Sequence, residues 1–472
     1  MAISTALGIA ARALMAQQAG LTVVGNNIAN VNTPGYSRQV PVFVEDPSLP
    51  AEGGALIGSG VRVQRIDQVV DTLLEQRRTD AQTDLGFQTA RRDKLNDLVE
   101  STNDLDQTAL GSALNGFFDA ADGLALRPAS LVDRQTLLAR AGTLAGAFNQ
   151  RYDAIAGVQR AADSKIVDLA QRANTDIDTI AQANQGIAAT GASGQQPNDL
   201  LDQRQNALND LASILGVSTT IDQFGQVRIA GDSGIVLVEN GVVVNHLSVT
   251  DGTAGLDDDP LHSVQFTNPS NGQTHALPAS LQRGQLGGLF QVRDGDTVAA
   301  VGNLDVLAAG LRDAANAVQT AGQDLAGNPT TTTPLFSGSG VAGASRSIAV
   351  AISDPRAIAT ALTTEVATTG NGNVQALALL RTTPLAALGN QTANGYVATE
   401  TGRLGEESSE VTNRASAVQT FSDSLDQQHA SVSGVNLNEE LTNLLRYQHA
   451  FQAASQVISV VNSTLDALFQ MV

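Results

Sequence analysis

Apolar residues recur every seven positions at both ends of the chain. Near the start, Leu7, Leu14, Leu21 and Ile28 form one series and Ile3, Ala10 and Val24 fill its half-steps, which is the seam of a coiled-coil helix. Thr33-Pro34-Gly35 predicts a stop near Asn32, because proline biases the residue before it away from helix and Pro-Gly fits the centre of a type II turn. Near the end, Leu437, Leu444, Phe451, Ile458 and Leu465 interlock with Tyr447, Ala454, Val461 and Leu468 in one continuous stripe. Asn436 stands where an N-cap would, with Glu439 three residues on as in a capping box, so the final helix is predicted to begin at Leu437.

A third heptad series, Val397, Leu404, Val411, Val418 and Leu425 with Phe421 in the partner register, carries Glu400, Arg403, Glu406, Glu407, Glu410 and Arg414 on its other faces. That is the pattern of a helix with a wet outer side. Helical periodicity also covers 69–102 and 128–189, and these long helices would bundle with the third series as a rod. After Gly216 the pattern changes. Short β-branched runs at 217–221, 227–229, 235–238 and 242–249 are separated by Gly225, Gly231-Asp232 and Asn240-Gly241, which predicts hairpins. A helix over 296–321 and a loop of Gly, Thr, Ser and Pro over 327–344 follow. The predicted fold is mainly α with a β insertion. Terminal helices (1–35 and 433–472) pair as a coiled coil, a long helical rod domain takes 36–216 and 373–432, and a central β-rich domain takes 217–372.

Charge changes the reading of the two ends. The first 35 residues hold one charged side chain, Arg12, and residues 441–472 hold two, Arg446 and Asp466. Exposed coiled coils carry Glu and Lys on their outer positions, but here those positions are Gln17, Gln18, Asn26, Asn27, Gln448, Gln452, Gln456 and Asn462. Amides can bond to neighbours without the desolvation cost of a buried ion. An ordinary intramolecular helical hairpin would produce the same stripes; the uncharged outer faces favour ends that pack among many copies. Burying four large residues returns less than ordering the helix costs, so mobile ends are expected in the free chain.

The remaining composition mainly excludes. A length of 472 residues predicts two to four packed units, and 42% hydrophobic with 16% charged residues is too apolar for wholesale disorder. With 47 acids against 27 bases the formal charge is -20, which repels a phosphate backbone, so no nucleic-acid partner is expected. Lys94 and Lys165 are the only lysines, and the pairs Arg77-Arg78 and Arg91-Arg92 lie beside acids on predicted helices. The absence of cysteine rules out disulfides and thiolate metal sites. Residues 1–20 lack a basic leader followed by an apolar block, so no cleaved signal is expected. No apolar run is expected to reach membrane-spanning length, and no membrane partner is expected.

Candidate chemistry is thin. The histidines at 246, 262, 275, 429 and 449 show no zinc-binding spacing. Gly338, Gly340 and Gly343 spell G-x-G-x-x-G without the β-α-β frame that phosphate binding needs, and Asp257-Asp258-Asp259-Pro260 lacks the ligand ladder of a calcium loop. No acidic pair stands out for glycoside chemistry. No catalytic residue, cofactor or metal is therefore assigned.

Ala29-Asn30-Val31-Asn32-Thr33-Pro34-Gly35-Tyr36 resembles the signature of the flagellar axial protein family of rod, hook and hook–filament junction. Its continuation Ser37-Arg38-Gln39, and the stretch from Ser433-Gly434-Val435-Asn436-Leu437-Asn438-Glu439-Glu440-Leu441 to Arg446-Tyr447-Gln448-His449-Ala450-Phe451, resemble the hook-associated, junction branch. Asn198-Asp199-Leu200-Leu201-Asp202-Gln203-Arg204 and Gly287-Gly288-Leu289 through Arg293-Asp294 match that branch too. The resemblance implies a self-assembling structural subunit without enzymatic activity. It would form a ring or helical layer of identical copies, with hook protein below, a second junction protein above, and an export chaperone on the C-terminal helix. It also implies an extracellular place and export without a cleaved signal. The residues expected to carry assembly are Ile3, Leu7, Leu14, Leu21, Ile28, Asn30, Asn32, Pro34, Gly35 and Tyr36 at one end, and Leu437, Leu441, Leu444, Tyr447, Phe451, Ile458, Val461, Leu465 and Leu468 at the other. Another axial subunit, such as a hook protein, and a secreted enzyme or adhesin with flagellar-type ends are the alternatives.

Overall fold

A computed structural model describes residues 2–50, 56–102, 110–191, 196–223, 225–231, 234–277 and 282–470. The chain opens with α1 (Ala2–Ala29) and a hairpin of β1 (Gln39–Glu45) and β2 (Val61–Gln68). Long helices follow: α2 (Thr72–Ser101), α3 (Leu110–Leu126), α4 (Leu131–Gly191) and α5 (Asn198–Ile214). Asp71 caps α2 by accepting from the Leu73 and Leu74 amides, which satisfies two of the orphan donors at the helix start.

Two small antiparallel sheets come next. One has the order β3 (Val217–Ile221), β4 (Val227–Gly231), β5 (Val236–Glu239), β6 (Val242–Val243). In the other, β8 (Pro260–Thr267) lies between β7 (His246–Ala254) and β9 (Thr274–Ala276). The turn between β5 and β6 is Asn240-Gly241, both at positive φ (52° and 70°), the type I′ geometry that suits a right-twisted hairpin. The run expected over 242–249 is split in two at Val244 and Asn245. Of the glycine and aspartate expected to turn at 231–232, Asp232 lies outside the described residues.

The chain returns to helix with α6 (Gly284–Phe290), which passes through a π-helical turn (Gln291–Asp296) into α7 (Thr297–Ala321). After short segments come α8 (Gly372–Leu379), α9 (Ala393–Ser433) and α10 (Leu437–Gln470).

The spine is α4, whose 61 residues span about 90 Å at 1.5 Å per residue. Its first half packs with α3, α7 and the segment 335–411 in one core, around Phe117, Phe118, Phe148 and Phe336, all fully buried. Its second half packs with α5, α6 and both sheets in another core around Phe266 and Ile177. Residues 217–372 thus divide between the two cores, strands to the second and α7 to the first. Two asparagines on α4 hold the sheets by their backbones. Asn174 donates to the Leu247 carbonyl and accepts from its amide (both 2.8 Å), and Asn184 does the same at Val227 (2.7 and 3.0 Å).

The glycine pair before the π turn has a steric purpose. A Cβ on Gly288 would lie 2.4 Å from the Phe87 carbonyl oxygen, so α6 crosses α2 closer than any larger residue permits. Gly288→Ala is expected to destabilise the second core by at least about 1–3 kcal/mol, the usual cost of overpacking. A urea midpoint unchanged from the parent would contradict this.

The expectation that no apolar run reaches membrane-spanning length does not hold for α1. Ser4–Ala29 of α1 is long and apolar enough, by length and composition alone, to cross a membrane, with only 28% of its most apolar window buried. Seven-residue counting saw only the leucines, while alanine, valine and the lack of charge raise the mean hydropathy of the rest.

Candidate assembly site

The two chain ends meet. α1 lies along α10, and the β1–β2 hairpin packs against α1 as well. Tyr447 (8% exposed) is the deepest apolar side chain on α10 among the described residues, and its ring sits over Gly20, where a Cβ would come within 2.9 Å. Phe43 of β1 closes the pocket, its ring centroid 6.2 Å from that of Tyr447. Arg12, the one charge of α1, pairs with Asp46 after β1 at 3.0 Å and donates to the Ser59 carbonyl at 2.8 Å.

The predicted stripe is only half-buried. Leu7, Leu14, Leu21 and Ile28 on α1, and Leu444, Phe451, Ile458, Val461 and Leu465 on α10, are of intermediate exposure. The deepest positions on α1 are Ala10, Ala16, Gly20, Val23, Val24 and Asn27, so the tightest packing uses small residues beside the leucine row. Leu437 and Leu441 lie outside the seam, 46% and 49% exposed, and Leu445, Val457 and Val460 join them in the open. Ile3 and Leu468 fall within the two helices, their side chains outside those described.

The turn after α1 follows its sequence. Tyr36 N donates to the Thr33 carbonyl at 3.2 Å and Gly35 has φ +73°, a type II turn. Pro34, Gly35 and Asn32 are exposed, whereas Asn30 is half-buried and accepts at Oδ1 from Thr33 Oγ1 at 3.1 Å.

Asn27, an outer amide by its place in the heptad, is 1% exposed. Its Nδ2 donates to the Gln39 carbonyl (2.9 Å) and to Glu440 Oε2 (3.2 Å), and its Oδ1 accepts from Tyr36 Oη (2.8 Å) and the Gln39 amide (3.0 Å). All four bonding positions of the amide are used. Glu440, also 1% exposed, pairs through Oε1 with Arg38 Nε at 2.9 Å, and Arg38 Nη2 reaches Glu439 at 2.7 Å. Sequence spacing does not reveal Asn27, because its partners stand 9, 12 and 413 residues away.

The interior motif at 198–204 binds this module to the body. Asp202 accepts from the Ser37 amide (3.3 Å) and from Gln68 Nε2 (2.9 Å), and Asn198 Nδ2 donates to the Ile66 carbonyl (3.0 Å). Arg204 turns the other way, to Asn184 (3.2 Å) and the Gly225 carbonyl (2.6 Å), and burial pulls its pKa down to about 10.

A groove of about 620 Å³ lies between the turn and helices α4 and α5, lined by Asp176, Asp199, Asp202 and Asp210 together with Asn30, Tyr36 and Asn206. Burial, then the charges of Asp202, Asp199 and Glu440, pushes the Tyr36 hydroxyl up to about 12. Burial, then the neighbouring Asp210, pushes Asp176 up to about 6 against the opposing Arg172. The folded chain therefore holds the Asp176 proton more tightly than the unfolded chain, and that stabilising contribution is lost as pH rises from about 4 through about 6. Asp176→Asn is expected to raise the melting temperature at pH 7 more than at pH 4; an equal shift at both pH values would contradict the assignment.

Other residues singled out by sequence form internal ties. His262 Nδ1 meets Asp163 at 2.5 Å, His246 meets Asp178 at 2.8 Å and His429 meets Glu75 at 2.8 Å. Asp257 pairs with Arg160 and Asp258 with Arg346, both at 2.6 Å. In the glycine-rich loop, the Gly343 and Ser345 amides donate at 2.8 Å to the carboxylate of Asp305. A side chain of the protein itself thus occupies the place an anion would take. Arg293 of the π turn pairs with Asp163 at 2.7 Å and lies 4.7 Å over the Phe290 ring.

Residues 95–336 match the model of the flagellar hook-associated protein FlgK helical domain. The chain belongs to this family. It is thereby a structural protein of the flagellum. Residues 7–36 match the flagella basal body rod protein family, and residues 426–471 match the C-terminal family of the basal body rod FlgEFG proteins, so the paired ends are the part shared with other flagellar proteins. The chain is 26% identical to flagellar hook-associated protein 1 of Bacillus subtilis, over 98% of this chain and 97% of that one. It is also 26% identical to flagellar hook-associated protein 1 of Salmonella typhimurium, over 99% of this chain and 100% of that one. In fold it is similar to the flagellar hook junction protein FlgK from Burkholderia pseudomallei, with a TM-score of 0.65 at 17% identity, over 76% of this chain and all of the other.

Proposed function

We propose that the chain is a non-enzymatic subunit that forms the junction layer between hook and filament by self-assembly. Copies pack their α1–α10 modules side by side in a ring or helical layer, with hook protein below and a second junction protein above. The observation that carries this reading is α10 itself. It has one face on α1 and presents Leu437, Leu441, Leu445, Val457 and Val460 to solvent, each 46–58% exposed, with only Arg446 and Asp466 charged after Leu441. Large apolar side chains left exposed along one helix with so little charge suit an interaction site. Leucines so exposed also need cover before assembly, which supports an export chaperone on α10. Retention of α1 after export follows from its use in the fold, since Gly20 receives Tyr447 and Asn27 bonds to Glu440.

A deletion strain tests the reading. Hooks that bear no filaments, restored by the full chain, are the expected result. Absence of hooks would assign the chain to the hook itself, and normal filaments would overturn the proposal.

A further inference from the structure

Around the roots of the terminal helices, six polar residues from three distant parts of the sequence are buried: Asn27, Ser37, Gln39, Asn198, Ser433 and Glu440, each 0–7% exposed. They form one connected set with Arg38 at its centre. The Arg38 amide donates to the Ser433 carbonyl at 2.8 Å, its carbonyl accepts from Val69 N at 2.8 Å, and its guanidinium holds Glu440. Ser37 and Gln68 then join the set to Asp202 on α5.

The rest of α10 is held differently. From Leu441 to Gln470, among the described residues, side-chain hydrogen bonds stay within the helix, as at Thr442, Ser463 and Thr464. Among the described residues, Tyr447 against Gly20 and Phe43 is the last deeply buried contact along it.

We propose that this buried polar clasp is a positioning device: it fixes the roots of both terminal helices on the body of the unassembled chain and sets the direction in which α10 leaves it, while the length beyond Tyr447 is left to be ordered by neighbours. A polar cluster suits the task because its bonds are directional, whereas apolar contacts permit sliding. Removing Glu440 strands Asn27 and Arg38 in a buried place, which penalises other arrangements of the roots. The inference rests on α10 being the assembling element, but its test uses the isolated chain and is independent of where the protein resides.

The absence of native cysteine makes the test direct. Spin labels at Ala417→Cys on α9 and Gln448→Cys on α10, both exposed positions, report the direction of α10 in the full-length monomer. A single narrow distance distribution is expected. Glu440→Ala should broaden it at least twofold, and Glu440→Gln, which keeps an acceptor for Asn27 and loses only the ion pair, should broaden it less. In parallel, hydrogen exchange should show protected amides at 27–40 and 433–447 and fast exchange beyond. Glu440→Ala should abolish the root protection and leave that of the α4 core around Phe148 and Ile166 intact. A broad distribution in the parent, or identical distributions in parent and Glu440→Ala, would overturn the proposal. So would roots that exchange as fast as the tip. Should Glu440→Ala lose protection in the α4 core as well, Glu440→Gln alone decides: an unchanged distribution in it would count against the device.

Discussion

A chain carrying Leu441→Asp and Leu445→Asp is expected to fold and melt as the parent does, yet to leave cells with hooks and few or no filaments. The two leucines are 49% and 55% exposed in the single chain, so each replacement should change its stability by no more than about 0.5 kcal/mol. Buried between copies, each leucine would lose its remaining half of exposed surface and contribute about 0.7–1.5 kcal/mol. Removing both weakens each subunit contact by about 1.5–3 kcal/mol, roughly ten- to a hundredfold in association. A carboxylate left unpaired in the contact adds to that loss. Circular dichroism on the purified chain and filament counts by electron microscopy separate the two expectations. Normal filament numbers would show that this face of α10 is not a contact.

Phe117→Ala is expected to have the opposite signature, a large loss of stability with the assembly surface untouched. Phe117 is fully buried, with its ring centroid 5.4 Å from Phe118 and 5.8 Å from Phe336. Truncating a buried phenylalanine costs about 3–5 kcal/mol, part of it the cavity left behind. The loss should fall on the first core. Phe266 lies in the second core, and Phe266→Ala should act there instead. Calorimetry that resolves two transitions should see Phe117→Ala lower one and Phe266→Ala the other. If each variant lowers both transitions equally, α4 couples the cores into a single unit. A loss under about 1 kcal/mol for Phe117→Ala would mean that the aromatic cluster is not packed as described.

What could be read from the sequence was whatever a short stretch of chain determines by itself. The heptads of α1 and α10, the stop at Pro34-Gly35 and the Asn240-Gly241 turn depend on neighbours within a few residues, and the structure has them where expected. The β1–β2 hairpin was not foreseen. Pro41 lies within β1 and the pairing slips at Val42/Phe43, and a proline inside a run argues against a strand unless it is an edge, which in a two-stranded hairpin it always is.

The site shows the same division. Which end segments matter was clear from their lack of charge. Which of their residues face each other was not, because a seven-residue repeat gives spacing and leaves open the side on which a partner arrives. Small residues let α10 and the hairpin approach beside the leucine row, so Gly20 and Asn27 became interior and Leu437 and Leu441 stayed outside. Asn27 and Glu440 are 413 residues apart, and only the folded chain brings the two end motifs and the motif at 198–204 to one point.

Cryo-electron microscopy of isolated hook–filament joints at side-chain resolution bears most directly on assembly through the paired ends. The α1–α10 modules of adjacent copies should lie against one another, with Leu437, Leu441 and Leu445 enclosed between subunits. A joint in which those leucines still face solvent, or in which this chain is missing, would contradict it.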